Sequence, residues 1–440
     1  MLIILTTHPI QYQVPLWQAL ARDGRVPFEV WYLCDHAVRA THDPEFGKAF
    51  AWDLGQGVLE GYPHRFLRIN AQWSLHPSKF FGIRLKESLV PLLRERGATA
   101  LWIQGWQKLA YWQAVVQARR AGVEVWLRGE TNDLAPAGPP VKAWLKRLRL
   151  RWLFKRVDHF LCIGTANRRF YLKHGVSEEK LHSAPYCVDN ARFATQAAAL
   201  RDQRWEIRRA WGIPDDAFCV LFCGKFIQKK RPLDLVAAAE LLEGKRENPL
   251  TTGLSPLASC PLPPIHLLFV GSGELGGALR GRCDVVFDAE AVGAVGGGAG
   301  VRNQGNREGE PASPPSKPRA SFAGFLNQTE ISRAYVAADC LVLPSDHGET
   351  WGLVVNEAMA SGLPCIVSDA VGCGEDLVAE TRPSFRFPLS DIKSLSNAIF
   401  SMAADLPRSS ERELYATRIN SYSFRSTTEI IGKLMIVTSH

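Results

Sequence analysis

The sequence predicts an α/β protein made of two Rossmann-like, doubly wound domains. Three observations predict it. At 440 residues the chain exceeds the size at which one hydrophobic core keeps growing, so two domains of about 150–220 residues are expected. Short apolar runs alternate with amphipathic helical stretches through both halves, the pattern of parallel strands joined by crossover helices. A balance of 46% hydrophobic to 22% charged residues belongs to a globular chain rather than a disordered or fibrous one.

The elements follow in order. LIILTT (2–7) reads as a buried first strand, and VPLWQALARD (14–23) as the helix after it. FEVWYLC (28–34), ALWIQG (100–105), the helical AYWQAVVQARRAG (110–122), VEVWLRG (123–129) and HFLCIG (159–164) continue the series, which ends in a helix containing NRRFYLKHG (167–175). A second series starts at FCVLFCGKF (218–226). It runs through the helix LDLVAAAELL (233–242), the strand IHLLFVGSG (265–273), the helix ISRAYVAADC (331–340), and the strands LVLPS (341–345) and CIVSD (365–369). A hinge near 190–200 is expected between a domain of residues 1–190 and one of residues 191–420, and a C-terminal helix at 421–440 can pack back on the first. Residues 243–264 and 281–320 are rich in Gly, Pro, Ser and Arg and are expected as flexible surface insertions, too polar to offset the entropy of ordering them.

The formal charge of +8 calls for an anionic partner: a nucleic acid, a membrane surface or a phosphorylated substrate. The ten cysteines are scattered, without a C-x-x-C pair or zinc spacing, so reduced thiols in a cytoplasmic protein are expected. The opening MLIILTT lacks the basic flank of an export signal. No apolar run approaches the ~18 residues that span a bilayer.

Two stretches carry chemistry. LVLPSDHGETWGLVVNEAMASGLPCIVSD (341–369) reads as strand, loop, helix, turn, strand, which puts Glu349 in a strand-end loop, where doubly wound sheets bind ligands. Backbone N–H groups near Thr350, Trp351, Gly352 and Leu353, with the positive end of the helix dipole, suit a diphosphate, and Gly352 would let it approach. Glu357, further along the helix, would accept vicinal hydroxyls of a ribose, and Glu349 would face a sugar. Taken alone, the two glutamates fit equally an acid at a helix N-terminus and a solvated one. In CVLFCGKFIQKKRPLDLV, four cations, Lys225, Lys229, Lys230 and Arg231, fill the turn after a strand in the same half. Such a turn is often merely solvated, but convergence with the Glu349 loop favours a leaving diphosphate.

Together these stretches resemble the retaining GT-B glycosyltransferases of family 4, the glycosyl transferases group 1. GETWGLVVNEAMASGLP matches their E-x7-E element, GKFIQKK their G-R/K-x4-K, VGSGEL their V-G-x-G strand end, SFAGF their F-x-G, and KLHSAPYCVDNARF their interdomain segment. The likeness is specific from about 155 to 380, excluding the insertions, and weaker elsewhere. It implies a GT-B fold of two domains facing across a cleft, with residues 1–190 binding the acceptor and residues 191–420 the nucleotide-sugar. It implies that Glu349 contacts the transferred hexose-type sugar, that Lys225 and Lys230 neutralise the diphosphate, that Glu357 holds the ribose, and that Gly273, Glu274 and Phe325 lie near the base. Anomeric configuration would be retained. The chain departs from the family pattern at Tyr186-Cys187, at Arg231, at His8-Pro9-Ile10-Gln11-Tyr12 and at Arg128-Gly129-Glu130. His8, Gln11 and Glu130, each following a strand of the first half, are the acceptor-side candidates; His8 fits a turn-stabilising role as well. No D-x-D occurs, so no metal and no cofactor is expected beyond the nucleotide-sugar itself, a co-substrate.

VKAWLKRLRLRWLFKR (141–156) holds seven Lys/Arg and no acid, with 145, 148 and 152 on one helical face. It reads either as an interfacial helix for an anionic membrane, apt for a lipid-linked acceptor, or as a packing helix with a basic solvated side; nucleic acid is not expected. The reading is therefore a metal-independent glycosyltransferase of cell-surface polysaccharide or glycolipid synthesis, peripheral at the inner membrane face. The alternatives are a phosphorylase or nucleotide-sugar epimerase of the same fold, or a non-catalytic basic membrane-binding protein.

Overall fold

A computed structural model describes residues 1–35, 41–43, 48–50, 57–70, 80–136, 138–247, 263–294, 317–404 and 409–437. Its contacts divide the chain into two compact units. One holds Met1–Thr41, Ala49–Asp189 and Ser421–His440; the other holds His42–Lys48 and Asn190–Asn420.

The first unit is built on seven parallel strands: β1 (Leu2–Thr6), β2 (Phe28–Tyr32), β3 (His64–Phe66), β4 (Ala100–Gln104), β5 (Glu124–Arg128), β6 (His159–Cys162) and β7 (Leu181–Ser183). Their order is β7-β6-β5-β4-β1-β2-β3. The order reverses between β1 and β4, the switch point where such sheets bind ligands. Both faces of the sheet are covered, which is why β1 is buried at every position. Ile3 and Leu5 point into a core with the helix Leu109–Ala121, while Leu2 and Ile4 face Trp17 and the C-terminal helix Phe424–Val437, which contributes Ile431, Leu434 and Met435. Burying three such side chains is worth about 1.5–3 kcal/mol each.

The second unit has strands β8 (Phe218–Cys223), β9 (Ile265–Val270), β10 (Asp284–Asp288), β11 (Arg319–Gly324), β12 (Cys340–Leu343), β13 (Cys365–Ser368) and β14 (Arg386–Phe387). The order is β10-β11-β9-β8-β12-β13-β14, again parallel, and it reverses between β8 and β12. Those two strands end in the turn carrying Lys225 and Lys230 and in the loop carrying Glu349.

The division expected near 190–200 falls between Asp189 and Asn190, and residues 190–200 themselves form the α-helix Asn190–Leu200, anchored by buried Phe193 and Ala197. Two expectations change. The expected insertions are shorter than 243–264 and 281–320. The helix Pro232–Glu247 runs to 247, with buried Glu243 accepting a 3.4 Å hydrogen bond from the Ile265 amide, and β10 and the helix Ala289–Ala294 occupy 284–294. Strand pairing with β11 supplies the ordering free energy that local composition lacks. Residues 248–262 and 295–316 lie outside the described residues.

Candidate functional site

In the second unit, three strand-end loops are stitched together through their backbones. The Gly224 amide donates to the Val270 carbonyl at 2.9 Å, Phe226 to Ser272 at 2.8 Å, Leu275 to Phe226 at 2.9 Å and Gly271 to Gly324 at 2.8 Å. A Cβ at Gly273 would lie 2.7 Å from the Phe226 carbonyl oxygen, so only glycine allows this approach. The seam sets Lys225, Gly273, exposed Glu274 and Phe325 along one edge of the sheet.

Across the switch point, the Asp346 amide donates to the Lys229 carbonyl at 2.8 Å, tying the lysine turn to the Glu349 loop. The consequence is direct: the Lys230 ammonium pairs with the Glu349 carboxylate. The same carboxylate oxygen accepts a long contact, 3.5 Å, from Ser345 Oγ. Arg231 occupies the left-handed region at φ 52° and closes the turn by pairing with Asp234 at 2.8 Å.

The helix expected after Glu349 is Leu353–Ala360, with Gly352 as its N-cap. Gly352 has φ +102°, and a Cβ there would meet Leu343 Cδ2 at 2.9 Å and Val371 Cγ1 at 3.1 Å. This glycine is therefore needed for packing against the unit's own core, a different reason from the expected approach of a phosphate. Trp351 is buried, its indole N–H donating to Asn356 Oδ1 at 2.9 Å, so only its backbone faces the loop side. Glu357 is not the solvated acid the alternative allowed: it is 3% exposed, and Tyr335 donates to its Oε2 at 2.5 Å. Burial, with the Glu357 charge beside it, pushes the neighbouring Cys223 thiol up to about 12.

In the first unit, His8 and Gln11 follow β1 and Glu130 follows β5. His8 Nδ1 lies 2.9 Å from Thr7 Oγ1, a turn contact. Glu130 accepts a 2.9 Å hydrogen bond from Tyr186, in the segment where the chain departs from the family pattern. The 129–131 backbone is held by Asn167 Nδ2, which donates to the Gly129 and Thr131 carbonyls at 2.9 and 2.6 Å, and by Tyr171, which accepts from the Gly129 amide at 3.0 Å. Lys108, buried at the start of the helix Leu109–Ala121, has its pKa lowered by desolvation.

The basic segment forms the helix Pro140–Phe154. Leu150, Leu153 and Phe154 are buried, but Trp144, Leu145, Leu148 and Trp152 are exposed, 59%, 49%, 45% and 41% respectively. The helix thus packs through one side and presents Trp144, Leu145 and Leu148 beside the cations on the other, while Trp152, though 41% exposed, stacks on Trp112 at 5.5 Å. Among the described residues no helix is long and apolar enough to cross a membrane, and no group of three or more His, Cys, Asp or Glu is placed to hold a metal ion.

Sequence reasoning missed Tyr335, Ser345, Gln104 and Arg128. The last two end β4 and β5, and polar residues closing buried apolar strands were the available signal.

Residues 294–405 match the model of the glycosyl transferases group 1. Solved structures share the fold along the whole chain. The α,α-trehalose 6-phosphate synthase of Burkholderia multivorans aligns with a TM-score of 0.62 and 12% identity over 100% of this chain and 99% of its own. The Anabaena protein HepE, in complex with UDP and glucose, aligns with a TM-score of 0.57 and 13% identity over 99% and 98%. The fold is GT-B, two Rossmann-like units of parallel sheet. In sequence, a sulfoquinovosyl transferase of Arabidopsis thaliana is 34% identical over 117 residues, 26% of this chain and 19% of that enzyme. The chain spans between 17% and 36% of the length of the first three curated relatives it matches.

Proposed function

We propose that the protein is a retaining glycosyltransferase of family 4, moving a hexose-type sugar from a nucleoside diphosphate to a glycan or lipid-linked acceptor in cell-surface polysaccharide or glycolipid synthesis. The observation that carries this is the pairing of Lys230 with Glu349 at the β8/β12 switch point of a GT-B unit. In the donor complex Lys230 and Lys225 turn to the diphosphate and meet negative charge as it develops on the leaving phosphate, the work a metal ion does elsewhere. N–H groups at Thr350 to Leu353 add the dipole of the helix N-terminus. Glu349, released from Lys230, orients the transferred sugar. Glu357, fixed by Tyr335, takes the ribose hydroxyls, and Gly273, Glu274 and Phe325 border the base.

Same-face attack, with the departing phosphate oxygen taking the acceptor proton, retains configuration without a protein nucleophile. His8, Gln11 and Glu130 serve the acceptor. The outward Trp144, Leu145 and Leu148, set among seven cations without an acid, suit an anionic membrane at the cytoplasmic face, where a lipid-linked acceptor resides. The name of the plant relative, a sulfoquinovosyl transferase, and the UDP in the Anabaena complex favour a nucleotide-sugar donor.

A thermal-shift series with UDP-, GDP- and ADP-sugars tests the donor, since a ligand of the folded state raises the midpoint. Transfer measured with and without a chelator then tests metal independence. No shift with any nucleotide-sugar, and no transfer to any glycan or lipid-linked acceptor, would sink the reading.

A further inference from the structure

At the C-terminal edge of the first unit's sheet, three buried polar atoms have no hydrogen-bond partner among the described residues: Arg128 Nη2, Gln104 Nε2 and Gln11 Oε1. Gln104 and Arg128 are register partners on adjacent parallel strands, so their side chains leave the same face of the sheet. Gln11 lies in the loop after β1, the strand on the other side of β4.

Arg128 is the most demanding of the three. The residue is 4% exposed, and its guanidinium carbon lies 4.8 Å from the centre of the Tyr186 ring. No ion pair or hydrogen bond from the described residues reaches the guanidinium. The neighbouring carboxylate, Glu130, is occupied by the Tyr186 hydroxyl. A buried guanidinium stacked on an aromatic face, with Nη2 unpartnered, leaves its planar fork open, and a buried charge without a hydrogen-bonded counter-charge costs several kcal/mol. Such a cost is tolerated where the group has a ligand to receive.

We infer that Arg128, Gln104 and Gln11 form a subsite for an anionic polyol, a sugar bearing a carboxylate or phosphate. Arg128 receives the anionic group through its fork, the Gln104 amide N–H donates beside it, and Gln11 Oε1 accepts from a hydroxyl. Resting on the glycosyltransferase reading, this makes the acceptor an acidic sugar, with Arg128 as a binding residue.

The test is calorimetric binding to the full chain, with glucuronate, glucose 6-phosphate, glucose and inorganic phosphate as probes. At least one of the two anionic sugars is expected to bind ten-fold or more tighter than glucose and than inorganic phosphate. Which one does so distinguishes carboxylate from phosphate. R128M should abolish that preference while leaving the thermal midpoint unchanged or raised, because an apolar side chain replaces an unpaired buried charge. R128K, which keeps the charge but not the fork, should lose several-fold, and it carries the same test should R128M not fold. Anionic-sugar binding by R128K and R128M equal to the wild type overturns the subsite. Inorganic phosphate binding as tightly as glucose 6-phosphate, with glucuronate no tighter than glucose, also overturns it, leaving a bare anion site. UDP and GDP binding is measured in parallel. Acidic-sugar binding without nucleotide binding leaves the subsite standing and removes the glycosyltransferase reading, whereas nucleotide binding without acidic-sugar binding does the reverse.

Discussion

Lys230 and Glu349, 119 residues apart in the chain, form an ion pair in which both side chains are more than four-fifths buried. The two loops they come from are fastened by the Asp346–Lys229 backbone hydrogen bond, so the pair is held by the fold and not only by its own charge. If Lys230 exchanges Glu349 for the diphosphate, the carboxylate competes with the donor for the same ammonium. E349Q should therefore lower turnover by about 100-fold or more, yet bind the free nucleoside diphosphate a few-fold tighter. K230A should weaken diphosphate binding and cost about 1–3 kcal/mol of stability by leaving Glu349 unpaired. Single-turnover kinetics, nucleotide titration and thermal denaturation of the two variants check this; tighter nucleotide binding by K230A would contradict it.

The Tyr335 hydroxyl donates to Glu357 at 2.5 Å, and both residues are nearly inaccessible. Y335F removes the donor and leaves a buried carboxylate with one hydrogen bond fewer, at a cost of about 1–3 kcal/mol. Because Glu357 is assigned to the ribose, away from the reacting carbon, the kinetic effect should fall on the donor KM, with kcat changed little. Steady-state kinetics at varied donor concentration separates the two. A loss confined to kcat would place Glu357 at the reacting centre instead.

Gly129 is packed against Trp106 so closely that an added Cβ would lie 2.0 Å from the indole ring. Trp106 has little room to retreat, since its other neighbours include Phe170, stacked at 6.0 Å with 5° between planes, and Phe154 at 5.7 Å. G129A should therefore destabilise the first unit by about 1–3 kcal/mol through overpacking. W106L in the same background should recover part of it by opening space. Thermal melts of the single and double variants decide, and an additive double variant would show that the two positions are not coupled.

How much of this was legible in the sequence depended on where each signal resides. Strands such as β1 and β8 are buried on both sides, so each prints a continuous apolar run, and both were read. The edge strands β3, β7 and β14 are two or three residues long and half polar, too short to show a period. β10 was lost inside a segment whose composition is dominated by its Gly- and Pro-rich neighbours. The lysine turn and the Glu349 loop were visible because their charges cluster locally. Their direct pairing was not, because it depends on β8 and β12 lying side by side. Tyr335 was read only as part of the helix 331–340, and Arg128 as a departure from a family pattern. Nothing in a linear sequence says that a hydroxyl has found a carboxylate or that a guanidinium has found none.

His266, on β9, is fully buried, and its Nε2 lies 2.8 Å from Ser321 Oγ. Ser321 spends its own proton on the Trp211 carbonyl at 2.6 Å, so the hydroxyl must accept and Nε2 must carry the hydrogen. Burial, with the charges of Arg319 and Arg208 adding to it, lowers the His266 pKa to about 3. The folded protein therefore keeps this imidazole neutral through the range in which the unfolded chain, titrating near 6.5, takes up a proton. Above that value the group adds no pH dependence to stability. Between about pH 6.5 and pH 3 the unfolded state binds the extra proton, so stability falls as the pH falls, by ~1.4 kcal/mol per pH unit from this residue. H266Q keeps a donor for Ser321 and cannot titrate. Its urea-unfolding free energy should lie below the wild type near pH 7 and decline less steeply toward pH 5, by about one proton's worth of slope. Equal slopes for the two proteins would mean that His266 is protonated in the fold.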